Sequence, residues 1–208
     1  MQLRFDASFT ADEYVRCQAW HKTSLPCCPL HPRGGCSFAR HGTYLRMTPA
    51  GVRIARWYCP QGHCTFSLIP DFLASHLPGT LDDLERIVVK VEQSRSIESA
   101  ADALRADDDI TLASAVRWVR RRIMLVRSVL AGVTHAIPAR YGTCPPNLTA
   151  FRCQYEMTSV LPQLRKIGAN YLYVLPPPLG FSPRRSYGSH YCAPIQQEMG
   201  PDPPDYCV

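Results

Sequence analysis

Hydrophobic and polar positions change period along this chain, and the changes divide it. Between about 40 and 69 the alternation is every second residue. Val52, Ile54, Arg56 and Tyr58 interleave with Arg53, Ala55 and Trp57, which is the pattern of a strand with one buried face. Residues 40–46 read as its partner across a turn at Thr48-Pro49-Ala50-Gly51, and 65–69 as a third strand. From about residue 81 the period becomes helical. Leu81, Leu84, Ile87, Val88 and Val91 mark one face over 81–93, behind an acidic first turn of Asp82, Asp83 and Glu85 that suits a helix N-terminus. Ile97, Ala100, Ala101 and Leu104 predict a shorter helix over 97–105.

The most regular stripe follows Asp107-Asp108-Asp109. Leu112, Val116, Val119, Ile123, Val126, Leu130 and Val133 recur at alternating steps of four and three, a near-heptad pattern that predicts a helix over 112–130. At about 100° per residue, Arg117 and Arg121 fall opposite that stripe, with Arg120 on its flank. At the front, Thr10 and Glu13 form a capping box that should start a helix running to about Lys22. A further helix is predicted over 147–167, where Pro162 should kink or split it. Eight prolines in the 33 residues from Pro176 predict an extended or disordered tail.

These periods imply an α+β fold, with a small three-stranded β unit followed by a helical bundle and a Pro-rich tail. The expected division is an N-terminal helix at 1–26, a β unit at 27–78, a helix-turn-helix-like helical domain at 79–135, a helical extension at 136–175 and the tail at 176–208.

Charge sharpens the picture. The net charge is +6, and residues 111–140 hold six Arg and no acid, whereas 81–110 sum to −5. A basic helix beside an acidic one is a patterned surface that favours polyanionic partners. Of the 23 basic residues only three are Lys. Arg forks suit phosphate and base edges, although a GC-rich coding sequence would give the same bias.

Ten cysteines need an explanation. Residues 1–10 lack the apolar segment of a secretory signal, and no apolar run approaches the roughly 18 residues a membrane span needs. A cytoplasmic location with reduced thiols is therefore expected, and clustered Cys and His read as metal ligands rather than disulfides. Two short knuckles bracket the predicted hairpin: Cys28-Pro29-Leu30-His31 and Cys59-Pro60-Gln61-Gly62-His63. The order knuckle, strand, turn, strand, knuckle builds a zinc ribbon, in which two tight turns aim four soft or borderline ligands at one Zn2+. Cys28, His31, Cys59 and His63 are the expected ligands. Cys36 could replace His31, Cys64 could replace His63, and Cys27 is a weaker rival. A β unit of this size buries too little apolar area alone, so the metal would supply much of its folding free energy.

Arg40-His41-Gly42-Thr43-Tyr44, the run Trp57-Tyr58-Cys59-Pro60-Gln61-Gly62-His63, and Thr65-Phe66-Ser67-Leu68-Ile69-Pro70-Asp71-Phe72 resemble the zinc-ribbon segment of bacterial insertion-sequence transposases. More closely, they resemble small transposase-related proteins that carry the ribbon without a catalytic domain. The resemblance covers roughly 27–130, and the sequence departs from the commoner pattern in having His at 31 and 63. It implies a helix-turn-helix after the ribbon and transposon ends as target.

The residues themselves place a short helix before a longer basic one, which suits a helix-turn-helix-like unit whose third helix enters the major groove of duplex DNA. Arg117, Arg120 and Arg121 would meet phosphates or guanine edges, with Arg40, Arg46, Arg53 and Arg56 of the ribbon as further contacts. The alternative is a protein–protein or dimerisation module, with the stripe from Leu112 to Val133 as a homodimer seam. Catalysis is not expected. After residue 110 the only acids are Glu156, Glu198, Asp202 and Asp205, with no mixed-sheet pattern around them and no Gly-rich phosphate loop.

Overall fold

In the structure, a computed structural model, residues 1–106 and 110–181 are described. The alternating region forms β2 (Ala39–Leu45), β3 (Arg53–Cys59) and β4 (Cys64–Pro70), paired antiparallel in sequence order. The β2–β3 turn closes with the Arg46 amide donating to the Val52 carbonyl at 2.8 Å, and Gly51 supplies the left-handed backbone at φ +77°.

Where the pattern predicts three strands, the sheet has four. Gln2–Phe5 forms β1 and adds to β4 in parallel, giving the order β1-β4-β3-β2. Four residues carry no clear period, and their partner lies some 65 positions away. The added strand is held by side chains as well as by the ladder. Arg4 forks onto Asp71, with Nε to Oδ1 at 2.8 Å and Nη2 to Oδ2 at 2.7 Å.

The predicted N-terminal helix is shorter than expected. α1 spans Ala11–Arg16, capped reciprocally by Thr10 and Glu13, and after a left-handed Gln18 a single 3-10 turn at Ala19–His21 follows. It covers one face of the sheet. Tyr14, fully buried, packs against Phe5, Phe9, Trp20 and Phe72 and donates its hydroxyl to the Arg53 carbonyl at 3.0 Å.

The helical half comprises α2 (Leu81–Glu92), α3 (Ile97–Leu104), α4 (Leu112–Ala136), α5 (Pro138–Tyr141), α6 (Leu148–Tyr155) and α7 (Val160–Ile167). α4 outruns its predicted end at 130 by six residues, because Leu130 and Val133 continue the buried face. Every stripe residue from Val116 to Val133 is buried among the other helices; only Leu112 is exposed. The stripe is thus core of this chain, and a dimer seam would need another face.

The predicted 147–167 helix is two. The break is a left-handed Glu156 at φ +52° that ends α6, and Pro162 sits in the first turn of α7, where its missing N–H has no intrahelical partner to lose. Both N-termini are capped from α2. The Glu85 carboxylate, 2% exposed, accepts from the amides of Val160 and Leu161 at 2.9 Å each and from Arg152 Nη2 at 2.6 Å. Glu92, one heptad on, accepts from the amides of Leu148 and Thr149 at 3.0 and 2.9 Å. Ser159 makes no side-chain cap of its own, so Glu85 fills that role across 75 residues.

The first six residues of the predicted Pro-rich tail are packed rather than extended into solvent; the rest of that expectation, 182–208, lies outside the described residues. Phe181 touches both hydrophobic cores. Ser75 donates to the Pro178 carbonyl at 3.1 Å and also to that of Gly180, and buried Arg165 donates to Pro178 at 2.6 Å. Pro176 packs beside Gly132 of α4, and Pro178 links the loop at Ser75 to α7, contacts that composition alone does not reveal.

Candidate metal centre and basic helix

Two turns bring four ligand atoms together. In the first knuckle the His31 amide donates to the Cys28 carbonyl at 3.1 Å, and the Gly34 amide to the His31 carbonyl at 2.9 Å. Gly34 and Gly35 then take left-handed φ values of +80° and +84°, which return the chain so that Cys36 faces Cys28. In the second knuckle the Gly62 amide points at Cys59 Sγ, 3.3 Å away. A Cβ at Gly62 would stand 2.5 Å from Leu30 Cδ1 and 3.4 Å from Cys59 Sγ, so the two turns are in contact.

The ligand atoms of Cys28, His31, Cys36 and Cys59 all lie within 4.8 Å of one another, and the four could hold a metal ion. His31 Nδ1 is 3.5 Å from Cys28 Sγ and 3.3 Å from Cys59 Sγ. Cys28 and Cys59 are buried, and the other two are half-buried.

The electrostatics of the cluster is uneven. Burial raises the Cys28 thiol, but hydrogen bonds from His31, from the Leu30 and His31 amides and from Cys59 outweigh it and bring Cys28 down to about 7. Burial, together with the sulfurs of Cys28 and Cys59, pushes Cys36 up to about 11. Thiolates this close repel one another, and a cation among them would offset that repulsion.

His63 is not one of the four. It closes the β3–β4 turn in the left-handed region, at φ +44°, with its amide donating to the Pro60 carbonyl at 3.3 Å, and it is exposed. Cys64 pairs with Cys59 across the ladder, but its sulfur lies 3.9 Å from the Thr65 carbonyl and outside the group. Cys36, weighed from sequence only as a substitute for His31, stands beside it instead. Cys27 is exposed and apart. The Arg33-Gly34-Gly35 return explains how Cys36, already a candidate from sequence, joins His31 rather than replacing it: it feeds a third sulfur back to the first knuckle.

The arginines separate by environment. Arg40 donates to the carbonyls of Trp20 and His21 at 2.6 and 3.1 Å and lies over Trp57, so it ties the 3-10 turn to the sheet. Arg46 donates to the Leu77 carbonyl and is half-buried, which lowers its pKa. Arg56 lies over the Tyr44 ring at 5.7 Å. Arg53 is exposed, with only Thr43 Oγ1 at 3.5 Å. On α4, Arg117, Arg120 and Arg121 are all exposed. Among the described residues only Arg120 of these three has a carboxylate partner, Glu98 at 3.0 Å, half-exposed on both sides and therefore weak.

No helix among the described residues is long and apolar enough to cross a membrane. No family profile matches the chain, and neither curated proteins nor solved structures yield a significant match.

Proposed function

We propose that this chain is a zinc-stabilised DNA-binding protein of the kind that accompanies mobile elements, acting by binding rather than catalysis. The ion is zinc. Bond lengths of about 2.3 Å to sulfur and about 2.0 Å to imidazole give a tetrahedral S···N edge of roughly 3.5 Å, close to the 3.3 and 3.5 Å separations at His31. Three thiolates and one imidazole make a closed set with no open position for substrate, which fits a structural role. In this reading β2, β3 and β4 are the ribbon and β1 is an added strand, while α2, α3 and α4 form the helix-turn-helix-like unit.

One observation carries the nucleic-acid reading. α4 is 25 residues long, buries one face entirely and presents Arg117, Arg120 and Arg121 on the other, with no acidic residue anywhere along it. Such a face meets a phosphate backbone without repelling it, and fixed on a packed helix it holds its register. Arg53 is the exposed ribbon arginine left free for phosphate, since Arg40, Arg46 and Arg56 are engaged within the fold.

Titrating the zinc-loaded chain with a fluorescent duplex at rising salt tests this. Three arginines on phosphates predict a log–log slope near −3, and each Arg→Ala change should reduce it by about one. A flat response, or no binding at low salt, would sink the proposal.

A further inference from the structure

The flank of α4 that faces the hairpin differs from the Arg face. A groove of about 740 Å³ opens there, between the loops at Thr48 and Pro78-Gly79 and the helices α2 and α4. Its wall is apolar at Ile87, Leu104 and Trp118, and it is bordered by Arg86 and Arg122. Arg122 folds back along its own helix. Its Nη1 donates to the Trp118 carbonyl at 3.3 Å, and its guanidinium carbon lies over the indole, 3.6 Å from the ring centroid. Trp118 is 38% exposed, whereas Trp20 and Trp57 are buried at 6% and 5%.

The groove carries one acid, Asp83, which is already committed. It accepts from the Thr80 amide at 3.2 Å and from Arg86. Arg122 has no carboxylate partner among the described residues. Burial, and then neighbouring Arg121, lower its pKa to about 10, which still leaves it charged at neutral pH. An anion in the groove would relieve that repulsion.

We infer that this groove receives an unpaired nucleotide of the bound DNA, its base stacking on the Trp118–Arg122 pair and its phosphate meeting Arg86 at the groove's border. The inference rests on the DNA-binding reading and narrows it to DNA with a single-stranded end or opened step. A guanidinium already stacked on an indole is a preformed planar platform, and both partners are groups on which bases stack. Each stacked base contributes roughly 1–3 kcal/mol with little sequence preference, or about 5- to 150-fold in affinity. The groove adjoins the exposed arginines of the same helix, so duplex on one face and unpaired strand on its flank need no large bend.

The test compares a blunt duplex with the same duplex carrying an unpaired thymidine overhang, at one salt concentration. The full-length chain should bind the overhang at least fivefold more tightly. The overhang should also quench tryptophan emission, because Trp118 is the one exposed indole among the three. Trp118→Ala should abolish the preference while keeping blunt-duplex affinity. Trp118→Phe, which keeps a smaller ring and guards against a folding defect, should retain part of it. Equal binding of both DNAs by the unaltered chain overturns the inference and leaves the duplex reading standing. Binding of neither overturns both.

Discussion

Cys36 and His63 make opposite predictions about the metal centre, and exchanging each for alanine separates them. The structure puts Cys36 within 4.8 Å of the other three ligand atoms and leaves His63 exposed on a left-handed turn. A structural zinc contributes about 10–16 kcal/mol of apparent binding free energy in small zinc domains. Shared over four donors, that is roughly 3–4 kcal/mol each, or about 10²- to 10³-fold in dissociation constant. Water can replace a lost ligand, so the lower figure is the safer expectation. Cys36→Ala should therefore weaken zinc binding by about a hundredfold, read by competition against a chromophoric chelator. His63→Ala should change it by less than about threefold. Cys64→Ala should resemble His63→Ala, since that sulfur also lies outside the group. The reasoning fails if His63→Ala costs as much as Cys36→Ala, or if Cys36→Ala leaves the metal bound as tightly as before.

Two further changes probe the scaffold. Glu85→Ala would strip the Val160 and Leu161 amides and Arg152 of their shared acceptor. Removing one partner of a buried charged network costs about 3–5 kcal/mol, so thermal unfolding should fall by roughly 10 °C, and a loss within experimental error would mean the capping is unimportant. Gly180→Ala would place a Cβ 1.8 Å from the Leu175 carbonyl oxygen, which only a backbone shift can relieve. A cost of about 1–3 kcal/mol is expected by chemical denaturation, and an unchanged midpoint would show that 175–181 is not held as described.

The parts of the fold that were legible in the sequence are the local ones. Alternation at 52–58 and the turn ending in Gly51 gave the hairpin, because one face of a strand must be buried whatever its partners are. The 4-3 stripe gave α4 for the same reason. β1 was not legible, since its pairing with β4 and the Arg4–Asp71 fork are set by contacts far apart in the chain. Pro162 gave warning of a break but not its place; the left-handed Glu156 and the Glu85 cap decide that. At the metal centre, Cys28, His31 and Cys59 stood out by knuckle spacing. Cys36 was a candidate too, but only as a replacement for His31, because it reaches the site through two left-handed glycines rather than through a fixed interval. The second knuckle contributes one residue to the group, Cys59, for a related reason. Its extra residue puts His63 on the turn itself, so the matching interval carries no ligand geometry.

The two glutamates of α2 also couple distant parts of the helical half. α6 and α7 are eight residues each, too short to persist alone. Their first amides find acceptors only on a helix 56 to 76 residues earlier. Their docking is therefore tied to α2, so a change that loosens α2 should loosen both. Undocking of α6 and α7 would also release Arg152 and the Arg165 contact to the 176–181 segment.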